Sequence, residues 1–138
     1  MPLHLTVVTP EGEAFDKQVE SVVLPGSEGE FGVLSGHEPF MTALYPGTMQ
    51  IQTGAETLYA AVGRGFAEVH DGAASVLVSS CEFAHEIDRT RAEIARDRAK
   101  AHLEEMRGSA EGEAAYQALQ ESYSRALARV AASDKFKS

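Results

Sequence analysis

The chain carries two hydrophobic rhythms, one after the other. In its first part apolar residues recur at every second position: Leu3, Leu5 and Val7, then Met49 and Ile51 in TMQIQT, then Leu58, Ala60 and Val62 in TLYAAV. Period two puts one set of side chains in a core and the other in water, which predicts half-buried strands. SVLVSS, with Val76, Leu77 and Val78, predicts a central strand that exits at Cys81-Glu82. Ten of the twelve glycines and all five prolines lie before residue 73. They mark Pro10/Gly12, Pro25-Gly26, Ser35-Gly36, Pro46-Gly47, Thr53-Gly54, Gly63/Gly65 and Asp71-Gly72. A spacing of about 8 to 12 residues is that of short antiparallel strands joined by turns.

From about residue 87 the period lengthens to that of a helix. Ala92, Ala95, Ala99, Leu103 and Met106 fall on one stripe among charged residues. Asp88 or Thr90 is placed to cap it, and Thr90 with Glu93 has capping-box spacing. Gly108 and Gly112 bracket a turn in RGSAEG, and a second stripe follows through Tyr116, Leu119, Tyr123, Ala126 or Leu127, and Val130. The prediction is an α+β chain, with an antiparallel β domain over 1–86 and an antiparallel helical hairpin over 87–138. The first helix offers mainly alanine to the seam, and each methyl buried there contributes only about 0.8 kcal/mol. A seam that weak can be opened by a partner that prefers one of its two states.

Composition narrows the function. At 43% hydrophobic content, the 138 residues suffice for one core. No run approaches the roughly 18 apolar residues of a membrane helix, and MPLHLTVV lacks the basic and apolar regions of a leader. Any membrane connection is therefore expected through a partner protein. The single cysteine, Cys81, predicts a small buried strand residue in a reducing compartment. Net charge is −9. Residues 1–81 hold ten acidic residues against two basic, and residues 82–138 hold eleven against ten. An acidic body with its basic residues in the tail argues against nucleic acid, which requires a basic footprint.

The stretch LPGSEGEFGVLSGHEP, residues 24–39, has the residue types of a catalytic loop without the spacings. No GK[ST] follows a glycine loop, and Gly63-Arg64-Gly65 continues as Phe66-Ala67-Glu68, which breaks GxGxxG. His37-Glu38 and His85-Glu86 do not complete HExxH, because Met41 and Arg89 stand at the last position. Gly26-Ser27-Glu28-Gly29 is not GxSxG. The loop then serves as a glycine-shaped turn with Glu28, Glu30 and His37 exposed to solvent or a partner. A freestanding β-sandwich binding module, or a small hydrolase using this loop, is the competing class; recovery of the chain alone from its source would favour it.

The string LPGSEGEFGVLSGHEPFMTALYPG, then GRGFAEV, then SVLVSS and HEIDRTRAEIARDRAKAHLEE, resembles the epsilon subunit of bacterial and chloroplast F-type ATP synthases over nearly the whole chain. The resemblance implies an N-terminal antiparallel β-sandwich of two five-stranded sheets and a C-terminal two-helix hairpin. It implies a non-catalytic rotor subunit that requires no cofactor. Its partners would be the gamma subunit, the c-ring and, through the helices, the alpha/beta catalytic subunits. It would be peripheral on the cytoplasmic face of a bacterial plasma membrane, or the stromal face of the thylakoid, without inserting in the membrane. Glu30, Gly36 and His37 match the part that faces the c-ring. Ile87-Asp88-Arg89-Thr90-Arg91-Ala92 matches the I/L-D-x-x-R-A motif with which some members bind regulatory ATP. In such members Glu82, Arg98, Arg125 and Arg129 join Asp88 and Arg91.

A folded hairpin could converge those four guanidiniums on a triphosphate. The same residues also fit a plain role, with Asp88 as a cap and the arginines as solvated ion-pair partners. In an extended hairpin Arg125, Arg129, Lys135 and Lys137 would approach acidic segments of the beta subunits. Two positions depart from the pattern. Ser35 stands where the family usually has proline, and Arg64 replaces the first glycine of the usual GGF. A positive φ at Arg64, if required, would cost of order 1 kcal/mol.

Overall fold

The computed structural model describes residues 2–36, 38–106 and 112–137. Ten strands come first: β1 Leu3–Thr9, β2 Gly12–Val19, β3 Ser21–Gly26, β4 Gly29–Leu34, β5 Phe40–Leu44, β6 Gly47–Gln52, β7 Thr57–Val62, β8 Gly65–His70, β9 Ala73–Val78 and β10 Cys81–Phe83. A 3-10 turn over Ala84–Glu86 leads into helices α1 Arg89–Met106 and α2 Glu113–Lys137. The strands form two five-stranded layers, β4-β3-β6-β7-β10 and β5-β8-β9-β1-β2, joined by the single residue pair Gly26 and Leu44 between β3 and β5. The alternation at Leu3, Leu5, Val7, Met49, Ile51, Ala60 and Val62 points into one core shared by both layers, closed by Leu24, Leu44, Val69 and Val76.

One pairing departs from the antiparallel expectation: β1 runs parallel to β9, from His4 opposite Ala73 to Val8 opposite Leu77. Periodicity fixes which face of a strand is buried; it carries no information on which neighbour the strand takes. Asp71-Gly72 forms the two-residue turn of the β8–β9 hairpin, with φ of 49° and 74°, the backbone of a type I′ turn. Pro25-Gly26 does not turn. Both lie in β3, and the reversal falls on Ser27-Glu28, between Gly26 and its partner Gly29. Among described non-glycine residues Asp71 alone has a positive φ, so Arg64 carries no such strain. Leu77 is 41% exposed although Val76 and Val78 beside it are buried; the SVLVSS strand is central in its layer but has one wet face.

Asp88 caps α1: its Oδ1 accepts the Arg91 N–H at 3.2 Å and its carbonyl accepts the Ala92 N–H at 3.0 Å. Thr90 lies inside the first turn, and Glu93 accepts from Arg89 Nε at 2.6 Å, so the capping box does not form. Ala92 and Ala99 of α1 and Ala126 and Val130 of α2 are buried, whereas Leu127 is exposed; alanine rather than leucine continues the second stripe. The Gly108 end of the expected interhelical turn lies outside the described residues. The helix α2 has a second buried face besides this stripe. Ala128 and Ala132 pack on Ala61, Ala84, Tyr59 and Ile87, laying the helix on the outside of the β7 layer.

Candidate functional site

Where α2 lies on β7, beside the β10 edge, the sandwich and the hairpin share a cavity of about 160 Å³ lined by Ala61, Val62, Ser80, Glu82, Arg125 and Arg129. Glu82 projects from β10. Arg129 meets it with Nε 2.8 Å from Oε1, and Nη2 donates to Oε2 at 3.4 Å. The Nε–H is buried without an aligned acceptor, so the pair's hydrogen bond is the one from Nη2 and the Nε approach is electrostatic. Arg125, one turn earlier, donates from Nη2 to Ser122 Oγ at 3.2 Å. Three of the six residues expected around a nucleotide are thus together. Asp88 is spent on its cap, and Arg91 and Arg98 are exposed on α1 and do not line the cavity. The space is below the roughly 300 Å³ at which small-molecule pockets begin; it has room for a phosphate group and not for a nucleoside.

The residues expected at the c-ring end lie on β4 and the turn after it. Glu30 is exposed opposite Pro25, and Gly36 is exposed with φ of 85°. His37 lies outside the described residues. Ser35, in place of proline, is half-buried in that turn.

An apolar row lies on the outer face of the other layer. The strand registers place Ala43 opposite Phe66, Phe66 opposite Leu77, and Leu77 opposite Val8, a row crossing β5, β8, β9 and β1. Phe66 and Leu77 are 42% and 41% exposed, and Met41, on β5 two residues before Ala43, is 63% exposed. The sequence did hold a signal. Phe66 and Leu77 are large apolar residues on the phase that alternation assigns to water, next to Ala67 and Val76, which occupy the core phase. Exposed rows of this kind mark docking surfaces on soluble proteins.

Cys81 is half-buried against the core edge rather than fully buried; burial, with Glu86 and Glu82 nearby, pushes its thiol up to about 12, which makes it a poor nucleophile. No three metal-ligating side chains gather among the described residues, and no described helix is long and apolar enough to cross a membrane.

The fold is thus a two-layer β-sandwich with an apolar row in water and a helical hairpin seated on small-residue contacts. Residues 2–84 match the family described as ATP synthase, Delta/Epsilon chain, beta-sandwich domain. The ATP synthase epsilon chain of Nitratidesulfovibrio vulgaris (strain DP4) is 43% identical over 93% of this chain and 92% of its own length. That of Cyanothece sp. (strain PCC 7425 / ATCC 29141) is 39% identical over 96% and 95%. A chain in the Euglena gracilis mitochondrial ATP synthase structure, OSCP/F1/c-ring in rotational state 1, superposes with a TM-score of 0.79 at 23% identity, over 95% of this chain and 81% of that one. The chain belongs to the family of ATP synthase epsilon chains, and as such it is an accessory subunit and not itself catalytic.

Proposed function

We propose that the chain is a rotor subunit of the central stalk, seated on the gamma subunit through the row Ala43, Phe66, Leu77 and Val8, with Glu30, Gly36 and His37 facing the c-ring. It couples ion-driven rotation of the ring to ATP synthesis from the cytoplasmic or stromal face of the membrane. The observation that carries this reading is the exposed apolar row, which the register assembles from four strands. Hiding it from water would contribute about 25 cal/mol for each Å² of apolar surface removed. Phe66→Glu and Leu77→Glu place a charge at the centre of the row without touching the core. Each is expected to abolish co-purification with gamma while leaving the circular dichroism spectrum unchanged; undiminished recovery of gamma would rule out this face.

The hairpin is proposed as a conformational brake on ATP hydrolysis, with Arg125, Arg129, Lys135 and Lys137 meeting acidic segments of the beta subunits when extended. The contact would weaken with salt. Deleting residues 88–138 should raise hydrolysis by the reconstituted complex; unchanged hydrolysis would remove the brake and leave the coupling role standing.

Regulatory ATP binding is favoured by the Glu82, Arg125 and Arg129 cluster, where the buried Arg129 Nε–H has no aligned acceptor. A phosphate oxygen could supply one. Arg91, Arg98 and Asp88 would have to turn toward the cavity for the nucleoside to be held. Calorimetry of ATP into the whole chain should give heat that is lost in Arg125→Ala and reduced in Arg91→Ala; absence of heat at millimolar ATP would eliminate the site.

A further inference from the structure

The β7–β8 turn is Gly63-Arg64, and Gly65 opens β8. Neither glycine has room for a Cβ: at Gly63 it would run into the hydroxyls of Ser79 and Ser80, and at Gly65 into the backbone carbonyl of Leu77. The turn is therefore pressed onto the β9–β10 connection. Two backbone hydrogen bonds hold it there, Gly63 N–H to the Ser80 carbonyl at 3.0 Å and Ser79 N–H to the Arg64 carbonyl at 2.8 Å. Arg64 is the only residue of this segment with a side chain, and its backbone is fixed before that side chain does anything.

The side chain reaches across to the hairpin. Its guanidinium carbon lies 5.8 Å from the centroid of the Tyr45 ring, within the range of a cation–π contact. Its Nη1 stands 3.9 Å from Glu121 Oε2 on α2. Tyr45, Arg64, Gln117, Gln120, Glu121 and Ser124 line an open cleft of about 500 Å³ between the sandwich and the first half of α2. The alanine packing that seats α2 lies farther along, at Ala128 and Ala132. Across the cleft Arg64 supplies the charged contact.

We propose that Arg64, stacked on Tyr45 and paired with Glu121, is a latch that holds the first half of α2 to the sandwich and biases the hairpin toward its docked state. The inference deepens the brake reading, since it requires that the hairpin leave the sandwich. Arg64 is 63% exposed and Glu121 30%, hence the contact is screened by water and weakened by salt. A modest, ionic-strength-dependent bias suits a hairpin that must undock.

Amide hydrogen exchange of the full chain tests this. In low salt, Arg64→Gly should speed exchange of α2 amides between Tyr116 and Arg125 by about three- to tenfold, for the loss of both the Tyr45 and Glu121 contacts, and Glu121→Gln by a smaller factor of about two to five, for the loss of the ion pair alone. The double variant should exchange no faster than Arg64→Gly alone. The swap Arg64→Glu with Glu121→Arg should recover part of the protection. In about 1 M NaCl, where the Debye length is about 3 Å, the difference between wild type and Glu121→Gln should collapse. Unchanged β8 and β9 amides show that the turn still folds. If α2 exchanges faster than the sandwich but is indifferent to Arg64→Gly, the latch is overturned and the undocking hairpin survives. If α2 exchanges only with the sandwich as a whole, undocking fails and the latch fails with it.

Discussion

Gly65 shows how much one missing atom can matter. Its position against the Leu77 carbonyl leaves no neighbour that can give way, so Gly65→Ala is expected to cost about 1–3 kcal/mol of unfolding free energy in urea titration. Gly32 is the control: it has open space and no positive φ, and Gly32→Ala on the same strand-rich scaffold should change stability by no more than about 0.5 kcal/mol. Cys81 gives a pH prediction. Its thiol is raised from 9.0 to about 12, so at pH 8 alkylation by iodoacetamide should run about a thousandfold slower than for a free thiol of the ordinary value. The raised value also sets the sign of linkage. The fold holds the proton more tightly than the unfolded chain, so this contribution to stability is intact below pH 9 and is lost as pH rises from there toward 12. Single positions were only partly legible in the sequence. Asp88 declared itself as a cap because capping is a local hydrogen bond. Glu82 and Arg129, 47 positions apart, meet only because α2 lies on β7 next to the β10 edge, which no local spacing encodes; the family resemblance grouped them, and the cavity brings together half of that group.

The elements were read more securely than their neighbours. Alternation and helical period are properties of a segment by itself, so β1, β6, β7, the run in β9, both helices and the alanine stripe of α1 are legible directly, whereas strands such as β2 and β4 carry no clean alternation and enter only through the family resemblance. The side of α2 that carries Ala128 and Ala132 did not, because alanine gives so weak an apolar signal that a seating face made of it resembles a solvated one. That face is also tightly filled: Ala132 is fully buried. Ala132→Leu should overpack it at a cost of about 1–3 kcal/mol. The expected result is faster hydrogen exchange along α2 with protection of β1, β8 and β9 preserved. Loss of protection in both parts would mean that the helix and the sandwich unfold as one unit.

Taken whole, the molecule keeps its two proposed working surfaces on opposite layers. The outer side of β5-β8-β9-β1 presents the apolar row, and the outer side of β6-β7 carries α2. A partner held on the first layer therefore leaves the hairpin free to move on the second. In the reconstituted complex, removing residues 88–138 is accordingly expected to change hydrolysis while gamma is still recovered at wild-type yield; joint loss of both would contradict the separation. The parallel pairing of β1 with β9 bears on how the chain is made. As it leaves the ribosome, β1 can form a ladder with β2 at once, but its other edge stays open until residues 73–77 have emerged. That edge is a template for misassociation while it waits. The helices come last and meet each other through nearby sequence, so closure of the sandwich, with its distant contacts, is expected to set the pace of folding.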